Sequence, residues 1–385
     1  MTQTNHWLLP DGIDELRPGQ AGRLEALRRH LLDHYRACGF EFVVPPMADF
    51  LDSLLTGTGH ELDIQTFKLT DAASGRMLGV RADMTPLVAR MDAHSLRREG
   101  PSRLCYMGPV LQAVGSGFAG SRAPMQIGAE IFGHSGVESD AEIIALALDT
   151  LEVAGLESPI IDLGHVGIFR ALSAAAELDE RQEHRLFDAL QRKAVPEMES
   201  LLEDMRVDAG MRQGLLGLAD LYGDESVLDR GRELLAGAGP QLDAALDYLQ
   251  ALADELKRLR PGVQLHFDLG ELRGYYYHTG VVFAAFVPGR GEEVARGGRY
   301  DETGRAFGRA RPATGFRADL KVLVSLPPGA EAASSREAIF APWKTDDAEL
   351  QEEIRALRAA GECVVCELPG QSGGLAEMGC NRKLT

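Results

Sequence analysis

The sequence predicts an α+β fold. Three observations carry that prediction. Strand-like stretches lie on both sides of a long helical block, they do not alternate regularly with helices as βαβ units do, and their patterning has much antiparallel character. With 385 residues, 45% of them hydrophobic and 25% charged, the chain is long enough for about two to three domains and for a core that needs no staples.

Leu24, Leu27, Leu31, Leu32 and Tyr35 recur at helical spacing and predict a helix over residues 19–37, with Gly39 as its C-cap. Residues 40–44 then read as a strand stopped by Pro45 and Pro46, which lack the N–H that a ladder needs. Residues 76–81, 103–114 and 125–132 read as strands, and residues 85–91 as a helix with Pro86 in its first turn. Ser139 to Glu142 has capping-box spacing and opens a helix carrying Ile143, Ile144, Ala147, Leu148 and Leu151, which Gly155 ends. Residues 168–260 are rich in Ala, Leu, Glu, Asp and Arg and read as a helical insertion of several helices. Strands resume at 263–269, 280–287 and 292–295. Leu326-Pro327-Pro328-Gly329 marks a linker over 326–335. The expected organisation is therefore one domain over 1–325 and a small, truncated C-terminal α/β unit over 336–385, built from a strand at 337–343, a helix at 346–360 and a strand at 363–368.

Charge excludes some functions. With 58 acidic against 40 basic residues the net charge is −18, which repels phosphate backbones, and no Lys/Arg-rich run offsets it. Neither tRNA nor a membrane surface is an expected partner. The first residues lack the basic and apolar regions of a signal peptide, and no run of about 18 apolar residues occurs. Five scattered cysteines fit reduced thiols in the cytoplasm.

Several motifs invite chemistry. Gly115 to Gly120 matches G-x-G-x-x-G, but a strand rather than a helix follows, so a hairpin loop is the better reading. Cys363 and Cys366 form a CxxC inside a strand pattern that sends them to opposite faces, which favours buried structural thiols over a metal site. His165 among apolar neighbours reads as structural. Gln126 and Glu130, four apart on a strand, share a face that is either solvated or turned toward a ligand. Arg273, Tyr275, Tyr276, Tyr277 and His278 combine apolar surface with hydrogen-bonding tips, which suits a small polar aromatic ligand. Arg296-Gly297-Gly298-Arg299-Tyr300-Asp301 reads as a glycine turn, either a hairpin or a place where backbone approaches a ligand closely.

Together these segments resemble the histidyl-tRNA synthetase family, a class II aminoacyl-tRNA synthetase fold, across most of residues 10–325. Residues 39–46 resemble the end of its motif 1, and residues 80–86 its histidine-binding turn. Residues 106–112 through 126–133 resemble motif 2 and the strand after it. Residues 272–283 and 296–301 resemble the two histidine-specific signatures, and residues 314–321 stand where motif 3 belongs. The resemblance implies a histidine site drawn from Asp83, Thr85, Gln112, Gln126, Glu130, Arg273, Tyr277 and His278. Within it Asp83, Thr85, Gln126 and Glu130 would hold the ammonium and neighbouring polar groups, Tyr277 and His278 would face the imidazole, and Arg273 the carboxylate. His278 replaces the family's usual tyrosine.

The departures concern ATP. Gln112 stands where the synthetases place an ATP-gripping arginine, Val114 and Gly115 replace the acidic and basic positions after it, and Lys321 takes the motif 3 arginine position. Adenylate formation needs cationic forks on phosphate, which an amide cannot supply and a lysine supplies only as a point charge. A kept histidine pocket with a lost ATP grip resembles the regulatory subunits that pair with the short form of ATP phosphoribosyltransferase, the first enzyme of histidine biosynthesis. Residues 7–12 and 379–385 resemble that family too. This implies no catalytic residues, no cofactor or metal, a homodimeric core within a hetero-octamer, and feedback regulation by histidine. The alternative is a ligase that forms an aminoacyl-adenylate. An ATP–pyrophosphate exchange assay separates the two: no histidine-dependent exchange is expected, and robust exchange would overturn the regulatory reading.

Overall fold

The computed structural model describes residues 7–56, 60–115, 120–326 and 338–384. Residues 116–119, within the G-x-G-x-x-G motif, and residues 327–337, which include most of the linker expected at 326–335, lie outside the described residues. The chain divides into two compact units, Met1–Pro328 and Gly329–Thr385.

In the larger unit the strands are β1 (Glu41–Val43), β2 (Ala48–Phe50), β3 (Phe67–Thr70), β4 (Met77–Val80), β5 (Ser102–Pro109), β6 (Met125–Phe132), β7 (Ile160–His165), β8 (Tyr222–Gly223), β9 (Gln264–Asp268), β10 (Val281–Phe286), β11 (Ala295–Arg299) and β12 (Ala313–Asp319). Nine of them form one sheet in the order β1-β5-β6-β12-β11-β10-β7-β9-β8. Pairing is parallel at β1–β5 and β7–β9 and antiparallel elsewhere in that sheet. A second, antiparallel sheet has the order β2-β4-β3. A mixed, mostly antiparallel sheet with flanking helices is the α+β architecture that the sequence predicts.

The helix Pro18–Ala37 starts on a proline and buries Leu24, Leu27, Leu31 and Tyr35. It stops where Phe40 N–H reaches back to the Tyr35 carbonyl (2.9 Å) across Gly39, whose φ is +85°. The helices Val137–Val153 and Pro240–Leu259 pack together, and their buried leucines and isoleucines join the same core as Ile127, Ala129 and Ile131 of β6. Residues 168–260 are mainly helical, and β8 within them extends the main sheet. Among the described residues no helix is long and apolar enough to cross a membrane.

Three local expectations are corrected. The strand predicted at 103–114 ends at Pro109, because Leu111 N–H leaves the sheet to reach the Arg81 carbonyl at 3.0 Å. Ser139 does not cap its helix, which begins at Val137 behind Gly136; the Ser139 hydroxyl accepts from Arg299 (2.9 Å) and donates to the Gly136 carbonyl (2.8 Å). Gly297 and Gly298 are not a turn but lie inside β11. A Cβ at Gly297 would strike the Gly315 carbonyl and the Phe283 ring, and one at Gly298 the Val281 carbonyl and the His278 ring.

In the smaller unit β13 (Ala338–Ala341) pairs in parallel with both β14 (Cys363–Cys366) and β15 (Arg382–Lys383), and the helix Ala348–Ala359 packs against the sheet. Cys363 joins the cluster of Phe340 and Cys380, while Cys366 joins that of Ile339 and Val364, so the two thiols part to opposite faces.

Close strand approach gives a stability test. A Cβ added at Gly315 would overlap Glu130 Oε2, which is fixed by its hydrogen bonds, whereas one at Gly22 on the helix Pro18–Ala37 meets nothing within 4 Å. Gly315→Ala is expected to lose about 1–3 kcal/mol and Gly22→Ala to gain up to about 1 kcal/mol, read by chemical denaturation.

Candidate functional site

The sheet carries a cleft of about 730 Å³, lined by Asp83, Thr85, Glu130, Arg273, Tyr277, His278 and their neighbours. Glu130 forms its floor. It has no solvent exposure, yet Thr85 Oγ1 (2.9 Å) and the Tyr106 hydroxyl (3.1 Å) donate to its Oε1, and the Tyr300 hydroxyl donates to Oε2. Burial pushes this carboxyl up to about 8, only partly offset by the three hydroxyl donors. The same burial, with Glu130 beside them, raises Tyr106 and Tyr300 well above the ordinary tyrosine range.

The turn between β4 and the helix Thr85–Arg90 sets Asp83 and Thr85. It is braced from below. Gln126 Oε1 accepts from Met84 N–H (3.1 Å), and Gln112 Nε2 donates to the Ala82 carbonyl (3.3 Å). Both glutamines are buried and neither lines the cleft. Of the eight residues read from the sequence, six therefore converge on the cleft, and two support the turn that shapes it. Asp83 accepts the Thr85 N–H (3.1 Å) and forms an ion pair with Arg317 of β12.

The wall opposite comes from residues 272–278. Tyr275 is buried against Phe169 and Phe187, and its hydroxyl donates to Glu183 (2.6 Å). Tyr276 is exposed and stacks on His184. Tyr277 alone of the three turns to the floor, stacked on Tyr300 at 5.0 Å and 24°. Burial lowers His278 to about 4, so its imidazole is neutral at pH 7 and offers one donor and one acceptor. Arg273 lines the cleft but is held by Glu271 (2.7 Å) and Glu293, with Asp162 at 3.9 Å.

Sequence reasoning missed Arg317 and did not single out Tyr106 or Tyr300. The available signal was glycine. Gly128 sits opposite Tyr106 and Arg317 in the register, and Gly315 opposite Glu130, in strands where β-branched residues are usual. Lys321 does not line the cleft; its amine is bound to Asp14 (2.8 Å) and to the Ala123 carbonyl (2.7 Å). His165 accepts Gly167 N–H at the start of a helix, and burial lowers it to about 4, in keeping with a structural role. Among the described residues one group has donor atoms close enough for a metal ion: His34, Cys38 and Asp149. None of the three lines the cleft, and Asp149 is already paired with Arg260.

A carboxyl floor, an acidic turn and an aromatic–imidazole wall together suit a small cationic, hydrogen-bonding ligand. Comparison with known proteins gives the family. The histidyl-tRNA synthetase family profile matches residues 12–323, and the profile of the ATP phosphoribosyltransferase subunit HisZ C-terminal domain matches residues 336–385. The ATP phosphoribosyltransferase regulatory subunit of Thioalkalivibrio sulfidiphilus is 56% identical, over all of this chain and 97% of its own length. That of Alkalilimnicola ehrlichii is 56% identical, over all of this chain and 95% of its own. Among solved structures, an ATP phosphoribosyltransferase regulatory subunit/histidyl-tRNA synthetase from Bacillus halodurans C superposes with a TM-score of 0.86 at 26% identity, covering 98% of each chain. The histidyl-tRNA synthetase of Nostoc sp. PCC 7120 shares the fold, with a TM-score of 0.78 at 18% identity over 97% of this chain and 88% of its own. The chain belongs to the ATP phosphoribosyltransferase regulatory subunit family.

Proposed function

We propose that this chain, as a non-catalytic regulatory subunit of ATP phosphoribosyltransferase, binds free histidine in the cleft and conveys its occupancy to the catalytic subunit. The buried Glu130 carboxyl carries the reading. An acid with no solvent exposure and three hydroxyl donors is costly to keep unless a cation is meant to reach it. Asp83 and Thr85 would share the ligand's ammonium with Glu130. Tyr277 and the neutral His278 would meet its imidazole. Gln112 and Gln126 serve by holding the turn.

Adenylation would need a cationic fork on phosphate. At the motif 2 position the side chain is instead an amide spent on the Ala82 carbonyl. Loss of synthetase chemistry with retention of the amino-acid seat supports feedback sensing in the cytoplasm. The expected assembly is a homodimeric core in a hetero-octamer with the short catalytic subunit. Histidine would act through its differential affinity for two quaternary states.

Reconstitution tests this. The purified chain is expected to co-purify with the short catalytic subunit, and histidine is expected to lower the activity of the complex. Absence of a histidine heat by calorimetry, with and without the partner, would overturn the reading. A second outcome follows from Glu130. A carboxyl raised to about 8 is mostly protonated at pH 7 and must ionise to receive an ammonium. Histidine binding should therefore release protons and tighten as pH rises from about 7 to 8, read by calorimetry in buffers of differing ionisation heat. Glu130→Gln should abolish both effects.

A further inference from the structure

Arg273 and Arg317 both line the cleft, and their electrostatic situations are opposite. Arg273 faces three acids: Glu271, Glu293 and Asp162. A ligand carboxylate arriving there would meet an excess of negative charge. Among the described residues Arg317 has a single carboxylate partner, Asp83, and both side chains are partly buried, at 22% and 17% exposure. Asp83 is also one of the acids best placed to receive an ammonium. Arg317 and Asp83 are thus an internal ion pair of the same composition as an amino acid's own two charged ends.

Register supplies the spacing. Gly315 pairs with Glu130 and Arg317 with Gly128, so Arg317 stands two residues along β12 from the point facing Glu130, on the same face of the sheet. Two residues of strand span about 7 Å. An ammonium and a carboxylate borne by one carbon, as in an α-amino acid, each with a hydrogen bond of about 2.8 Å, bridge about the same distance. Gly128 and Gly315 add no side chain of their own between the two positions, and the Tyr106 hydroxyl and the Glu130 carboxyl take up the space above them.

Resting on the proposal that the cleft takes histidine, we infer that Arg317 is the carboxylate-selecting residue of the site, and that the Arg317–Asp83 pair is a placeholder which the ligand's zwitterion replaces. On binding, the ammonium takes Asp83 and Glu130 while the freed guanidinium takes the α-carboxylate through its planar fork. The site thereby selects an α-amino acid over the corresponding amine or amino alcohol.

The test is calorimetry on the full chain with L-histidine and with L-histidinol, which keeps the ammonium and imidazole but lacks the carboxylate. The unaltered chain should prefer histidine by about tenfold to a hundredfold, the range of a charged hydrogen bond. Arg317→Gln should collapse that preference, weakening histidine while leaving histidinol unchanged or tighter, because Asp83 is released. Arg317→Lys should recover part of it, and thermal unfolding of each variant checks folding. An unchanged histidine-to-histidinol ratio in Arg317→Gln, or equal weakening of both ligands, would overturn the assignment and leave histidine binding standing. No binding of either ligand to the unaltered chain would overturn both proposals.

Discussion

Glu130 holds its carboxyl on a central strand without access to water, and its three hydroxyl partners come from separate elements: Thr85 from the turn after β4, Tyr106 from β5 and Tyr300 from the end of β11. A buried acid needs those donors, so three pieces of chain far apart in sequence must arrive together. Gly315 and Gly128 lie beside it because a side chain at either position would collide with Glu130 or with Tyr106. The aromatic wall follows in turn, since Tyr277 is placed by stacking on Tyr300.

Behind this floor Arg299 does a comparable job for the backbone. Its buried guanidinium pairs with Asp140 and donates to the carbonyls of His134 and Gly136 and to the Ser139 hydroxyl. The start of the helix Val137–Val153 is thereby fixed to β11, directly before Tyr300. Removing one partner of such a pair would strand a buried charge, at a cost of about 3–5 kcal/mol. The network makes the position of Tyr300 a property of the whole sheet rather than of one loop.

Much of this was legible in the sequence. Amphipathic spacing identified the long helices, and glycine and proline punctuation placed about half of the strands, because those signals are local; β2, β3, β7, β8, β12 and β15 went unread, and the strand read at 292–295 runs instead over Ala295–Arg299. Glu130 was visible as a polar residue in an apolar run, and Cys363 and Cys366 separated as the two-residue period of a strand requires. What escaped depends on register. Nothing near Arg317 in the sequence shows that it lies opposite Gly128 and reaches Asp83, more than two hundred positions earlier. Ser139 had the spacing of a cap but was claimed by the distant Arg299. Gly297 and Gly298 carried the right signal, close approach, with the wrong geometry attached.

The Arg317–Asp83 pair also bears on dynamic range. A synthetase consumes its amino acid and gains from holding it tightly. A sensor must equilibrate with a pool and be half-filled near the concentration that matters. Each internal bond that a ligand must first break raises the concentration at half-occupancy. Under the proposed exchange, the Arg317–Asp83 ion pair, together with a carboxyl that would have to shed a proton, would set back affinity in that way. Such a pocket can keep the selectivity of a synthetase while responding over a higher range of concentration.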